Sequence, residues 1–165
     1  RVIDVLMAIP SIILSISICA ALGSGIVNTM IAVGISSIPT YARVFRSSVI
    51  SEKSKEYIEA ARAVGAGNAR IILKHILPNS IAPVIVQASL GVAQAITTAA
   101  SLSFIGLGIQ PPNPEWGALL SSGRQYIRDF PHMVVYPGIA IMLTVLALNL
   151  IGDGLRDALD PRLKR

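Results

Sequence analysis

The sequence predicts an all-α protein of the polytopic membrane type, with about four helical spans in 165 residues. Three observations carry that expectation. Hydrophobic residues make up 53% of the chain and charged residues only 14%, whereas a soluble domain is charged at about a quarter of its positions. The apolar residues are gathered into long runs, two of which, 81–108 and 133–151, contain no charge at all. Finally, 12 of the 14 Lys and Arg lie in segments that one membrane topology places on a single side. The net charge of +5 therefore reads as positive-inside topology and not as a nucleic-acid surface.

The first span is expected over 5–22, 18 residues interrupted only by Pro10 and serines. Its Cys19 is the single cysteine, so no disulfide framework or Cys-based metal site is available, and it reads as a small residue of a membrane helix. After a Gly23-Ser24-Gly25 turn comes a weaker span, 26–42, diluted by Asn28, Thr29 and Pro39. The third, 81–108, has 28 residues against the roughly 20 a bilayer requires, so its tail SLSFIGLG should leave the helix at Gly106 or Gly108. The stretch 109–132 includes the Pro-rich QPPNPEWGALL, where Trp116 suits an interfacial anchor or a gate element. The fourth span, 133–151, has 19 residues and one amide, Asn149.

Charge sets the orientation. Seven Lys/Arg fall in 41–78 and four after Ile151 (Arg156, Arg162, Lys164, Arg165), with Arg1 at the start. Those segments belong to the cytoplasmic side, and 109–132 to the outside. A soluble all-α domain would need charged faces that the third and fourth segments lack. The chain opens on Arg1 without a signal-peptide pattern, so a longer protein with more sequence on the N-terminal side is expected.

The segment 41–78 is both charged and patterned. It reads as two short helices. Ser51 or Ser54 can cap the first, with Tyr57, Ala61 and Val64 on one face and Lys55, Glu59 and Arg62 on others. Gly65 suits the left-handed position that ends a helix. Asn68 can cap a second helix, 69–77, closed by Pro78, with Ile72, His75 and Ile76, beside Ile71, as an apolar face in a loop bathed by water. Such a face flanked by Arg70 and Lys74 suits a cleft on a partner protein, or equally a lipid surface.

Glu59-Ala60-Ala61, Gly65 four residues after Ala61, and the close His75-Ile76-Leu77-Pro78 resemble the cytoplasmic EAA loop of ABC-importer permeases. The likeness extends to RVIDVLMAIPSIIL, HILPN, SLSFIGLGIQPPNPEWGALL and YPGIAIMLTVLALNLIGDGLRDALDPR, and these stretches are similar to the peptide/nickel branch of that family. One departure is His75, where the general motif has Ile. Such permeases have about six spans, so two N-terminal ones are expected beyond this sequence.

The resemblance implies a type I ABC-importer transmembrane domain over 1–165, truncated at its N-terminus, in the bacterial or archaeal cytoplasmic membrane. Its partners would be two ATP-binding subunits, a second homologous permease and an external solute-binding protein. Glu59, Ala60, Ala61, Gly65, His75, Leu77 and Pro78 would form the coupling loop, and di- or oligopeptides, nickel or glutathione would be the cargo. No GxxxxGK[ST] loop occurs in the sequence, so no cofactor or enzymatic activity is assigned to this chain, and ATP hydrolysis falls to the partners.

Gln87, Gln94, Thr98 and Ser101 are spaced 7, 4 and 3, which at about 100° per residue makes a narrow stripe. Amides in a membrane helix face protein or a water-filled cavity, so the stripe is a candidate translocation path, or else a set of bonds to neighbouring helices. Gly91, Ala95 and Ala99 beside it form a small-residue row suited to close packing. Asp153, Asp157 and Asp160 read as a solvated face, with Arg156 and Asp160 as an i,i+4 pair, and no metal site is assigned. His75 and His132 fall on opposite sides of the membrane. The rival function, a secondary transporter or channel-like protein without an ATPase, calls for acidic residues inside the spans, and the four segments hold none.

Overall fold

The computed structural model describes residues 1–159, and among them every regular element is helical. In chain order these are α1 (Val2–Met7), α2 (Ser11–Leu22), α3 (Ile26–Lys53), α4 (Glu56–Ala63), α5 (Asn68–Arg70), a π-helical turn (Ile71–Ile76), α6 (Leu77–Ser80), α7 (Ala82–Phe104), α8 (Trp116–Gly123) and α9 (His132–Leu159), with a 3₁₀ turn (Arg124–Tyr126) after α8. Asp160, Arg162, Lys164 and Arg165, and with them the Arg156–Asp160 pair, lie outside the described residues.

Among the described residues, two helices are long and apolar enough to cross a membrane, Ala82–Phe104 and His132–Ala158. The first expected span is broken: the chain turns at 8–10, leaving α1 and a 12-residue α2. Pro10 explains the break, because it offers no N–H and pushes Ile9 out of the helical region. The second does not stop at residue 42. Nothing between residues 40 and 53 is Gly or Pro, and α3 runs on to Lys53 with Pro39 inside it. Its 28 residues reach about 42 Å at 1.5 Å each.

Helix α7 is the element on which α2, α3, α8 and α9 pack. The core is thin. Cys19 and Leu102 are fully buried with Ala32 and Val33, and Ile16, Ile18, Ala95 and Leu107 lean on them. Small and hydroxyl residues make the closest approaches. Ser15 Oγ donates to Ser36 Oγ at 2.8 Å between α2 and α3. A Cβ on Gly91 would collide with the Tyr41 hydroxyl, one on Gly152 would reach Leu90 Cδ2 at 2.7 Å, and one on Gly117 would strike the Ala100 backbone. The Gly91, Ala95 and Ala99 row thus faces α3 across a groove also lined by Val33, Gly34 and Tyr41. By contrast α9 leaves Met142, Leu143, Leu146, Leu150 and Ile151 more than half exposed, an apolar surface too large for water to cover without penalty.

The end of the bundle where α2 turns into α3 and α7 stops is tied by backbone. The exit of α7 is at Gly106, whose φ is +87°: its N–H donates to the Ser103 carbonyl at 3.0 Å, and the Leu107 N–H to Leu102 at 2.9 Å. The Gly25 N–H, in the α2–α3 turn, then reaches the Gly108 carbonyl at 3.1 Å. The 109–132 stretch is not simply a turn. Glu115 caps α8 by accepting from the Ala118 N–H at 2.7 Å, and α8 packs back onto α7 and α9.

Candidate functional site

The segment 54–80 folds as a helical hairpin at the end of α3. Helix α4 ends in a Schellman turn. Gly65 has φ +83°, its N–H donates to the Arg62 carbonyl at 2.9 Å, and the Ala66 N–H reaches back to Ala61 at 3.0 Å. Ala61 and Ala66 then lean on a small core of Ile58, Ile71 and Ile76, together with Val49 from α3.

Several local expectations are corrected here. Neither Ser51 nor Ser54 caps α4: Lys55 occupies that position, and Ser54 Oγ donates to the Ser51 carbonyl at 3.0 Å instead. Asn68 lies inside the helix that Gly67 precedes. Pro78 does not close the helix, which runs to Ser80. The π turn just before it is the reason: its wider path relieves the contact between a proline ring and the carbonyl four residues back. The faces change too. Bonding i→i+5 brings Ile71 and Ile76 over one another, so both point inward at 2% and 7% exposure, while Ile72 and Leu73 are left outside. On α4 the inward residues are Ile58 and Ala61, and Val64, at the helix end, is 85% exposed.

The resulting outer surface presents Glu59 and Ala60 on α4, with Gly65 at the tip and Leu77 and Pro78 on the returning arm, while Ala61 and His75 are half-buried. Chemically this is a short helix with an exposed carboxylate, Glu59, beside the small side chain of Ala60, backed by an apolar core.

Sequence reasoning missed a polar cluster behind the hairpin. Glu52, 8% exposed on the last turn of α3, accepts from Lys55 Nζ at 2.5 Å and from Tyr57 Oη at 2.8 Å. Asn79 Nδ2 donates to Tyr57 Oη at 3.3 Å and to the His75 carbonyl at 2.7 Å. Burial alone raises the Glu52 pKa, but the hydrogen bonds from Lys55 and Tyr57 outweigh it and hold the carboxyl below the ordinary glutamate range. Burial, and then the neighbouring carboxylate, push the Tyr57 phenol up. The available signal was a carboxylate three residues before a lysine and five before a tyrosine; the partner in α6 had no local signature.

The stripe on α7 lies next to the α3-facing row. Gln94 and Ser101 are exposed, Gln87 and Thr98 half-buried. The hydroxyls do not reach neighbouring helices: Thr98 Oγ1 donates to the Gln94 carbonyl at 2.9 Å and Ser101 Oγ to the Thr97 carbonyl at 2.8 Å, both within α7.

Comparison with known proteins matches residues 1–165 to the family described as "Binding-protein-dependent transport system inner membrane component". A dipeptide transport system permease of Alkalihalophilus pseudofirmus is 54% identical over 164 residues, 99% of this chain and 54% of that protein. A di/tripeptide transport system permease of Pseudomonas aeruginosa and a glutathione transport system permease of Escherichia coli are each 51% identical, with the same coverage. The chain thus spans about half the length of the curated relatives it matches. Matched along its whole length, the chain belongs to the binding-protein-dependent transport system inner membrane component family.

Proposed function

We propose that this chain is part of the transmembrane pathway of an ATP-driven importer of short peptides, and that the hairpin at 54–80 is where an ATP-hydrolysing subunit grips it. The observation that carries the reading is the surface on α4: Glu59 and Ala60 exposed on a helix braced from behind by Ile58, Ile71 and Ile76. A partner cleft can approach that backbone closely, and Glu59 supplies a charge to pair. The names of the relatives, permeases for dipeptides, di- and tripeptides, and glutathione, favour a short peptide over nickel as cargo.

Helices α7 and α9 cross the membrane in this reading, α2 with the 8–10 turn forms a bent first crossing, and α3 forms the second. At about 42 Å, α3 exceeds the roughly 30 Å hydrocarbon core, so its last turns carry Arg46, Glu52 and Lys53 into the cytoplasm. The Gln87–Ser101 stripe faces the solute path, completed by a second permease subunit, and an external binding protein delivers the peptide. In this reading the hairpin moves when the ATP-hydrolysing subunits close, and the motion passes into α3 and α7.

The test is a cysteine at Ala60 in the assembled complex, with partner cysteines on the ATP-hydrolysing subunit. A crosslink is expected; an intact complex that never crosslinks there refutes the docking. For the path, Gln94→Glu should change peptide uptake severalfold in an assembled complex, and unchanged uptake refutes that assignment. A secondary transporter would instead import without any ATP-hydrolysing subunit, which the same reconstitution without that subunit reveals.

A further inference from the structure

We propose that Tyr57 is a positioning residue that fixes the angle of the hairpin against α3 and α7; this rests on the coupling reading above and deepens it. Three elements meet at its hydroxyl. It donates to Glu52 at the end of α3 and accepts from Asn79 in α6, while its own backbone belongs to α4. Its ring stands edge-on to His75 of the π turn, centroids 6.2 Å apart. A single bend residue, Ile81, separates α6 from α7. The chain of bonds therefore runs from one long helix to the other through the hairpin.

The hairpin has two kinds of attachment, and they do different work. The apolar core of Ile58, Ile71, Ile76 and Val49 holds it against α3, but burial of apolar surface is non-directional and permits rocking. Hydrogen bonds weaken steeply off axis, so the Glu52–Tyr57–Asn79 chain is what resists rotation. Glu52 is nearly buried, and its charge cannot shed these donors without a large desolvation penalty. A push on α4 reaches α3 and α7 as a push only while that chain is closed. Removing the Tyr57 hydroxyl leaves the hairpin attached but free to tilt, so that hydrolysis proceeds and transport slips.

The experiment uses the full-length permease in its reconstituted complex, with labelled dipeptide uptake and ATP hydrolysis measured in the same vesicles. Tyr57→Phe keeps the ring and its apolar bulk. The Ala60 crosslink and the hydrolysis rate should stay close to the wild type, while uptake per ATP falls about tenfold, as expected for losing a hydrogen bond to a buried charge. Asn79→Ala should lower the same ratio, and the double variant should be no worse than the poorer single, because both act through one chain of bonds. Should Tyr57→Phe fail to assemble, Asn79→Ala carries the prediction alone. An unchanged ratio in a crosslinking, assembled variant overturns the proposal, as do independent, additive effects. Absence of the crosslink in the wild type is a different result: it refutes the docking reading itself.

Discussion

Gly65→Ala tests the hairpin at its tip. The φ of +83° puts an L-residue in the left-handed region, and a Cβ there would meet nothing within 4 Å, so the whole cost is backbone strain without collision. That strain is about 1–2 kcal/mol, which shifts the local opening equilibrium by roughly 5- to 30-fold. Two hydrogen bonds report on it, Gly65 N–H to Arg62 and Ala66 N–H to Ala61. Amide exchange by mass spectrometry in lipid nanodiscs should find the 58–68 peptide exchanging about tenfold faster in Gly65→Ala, with α9 unchanged. Gly65→Asn should be milder, since asparagine tolerates this conformation better. Gly67→Ala is the internal control: its φ is −68° and its surroundings are equally open, so it should exchange no faster than wild type. If Gly65→Ala leaves exchange unchanged, or Gly67→Ala accelerates it as much, the argument that Gly65 is chosen for its backbone is wrong.

Other consequences follow from the same geometry. Gly91→Ala places a methyl where the Tyr41 hydroxyl lies and should lower the thermal midpoint of the purified protein, by about 1–3 kcal/mol of overpacking; adding Tyr41→Phe, which removes the offending oxygen, should restore most of it. Ile58→Ala opens a cavity in the three-isoleucine core, and about 2–5 kcal/mol of lost packing should loosen the hairpin and abolish the Ala60 crosslink, whereas Ile72→Ala, at an exposed position, should not. Glu52 has a lowered folded pKa, so its contribution is fully present above the ordinary glutamate pKa of 4.5 and lost only as pH falls through the lower folded value. Spin-label distances between α3 and α6 should therefore hold steady from neutral pH down to that range and broaden below it; broadening already near pH 6 would contradict the assignment.

Much of this architecture is visible in the chain itself because its causes are local. Gly106, where α7 stops, is one of the two glycines expected there, Gly106 or Gly108, and Gly65 ends α4 in the left-handed position expected of it, since only glycine adopts such φ freely. The small-residue row on α7 was likewise legible, as helical spacing alone puts Gly91, Ala95 and Ala99 on one side. The failures have physical causes of their own. Pro78 reads as a terminator, because the widened turn that accommodates it is held open by packing of Ile71 and Ile76 on Ile58. The expected apolar face, Ile72, His75 and Ile76, presumed α-helical spacing, and a π turn rotates that face by its extra residue. Lys55 stands where a capping serine was expected, and its Nζ donates back to Glu52 on the last turn of α3.

What composition, charge distribution and motif spacing determine by themselves is that the chain is helical, apolar in long runs, with its Lys and Arg gathered outside those runs, and patterned within 41–78 as two short helices. Those properties belong to residues and their near neighbours. Which face of each helix turns inward, and that Glu52, Tyr57 and Asn79 meet, was decided by tertiary structure alone. The bond that closes the cluster, Asn79 to Tyr57, links residues 22 positions apart, and no local preference encodes it. Only when the isoleucine core brings α4 and α6 beside the end of α3 do a carboxylate, a phenol and an amide come within hydrogen-bonding reach.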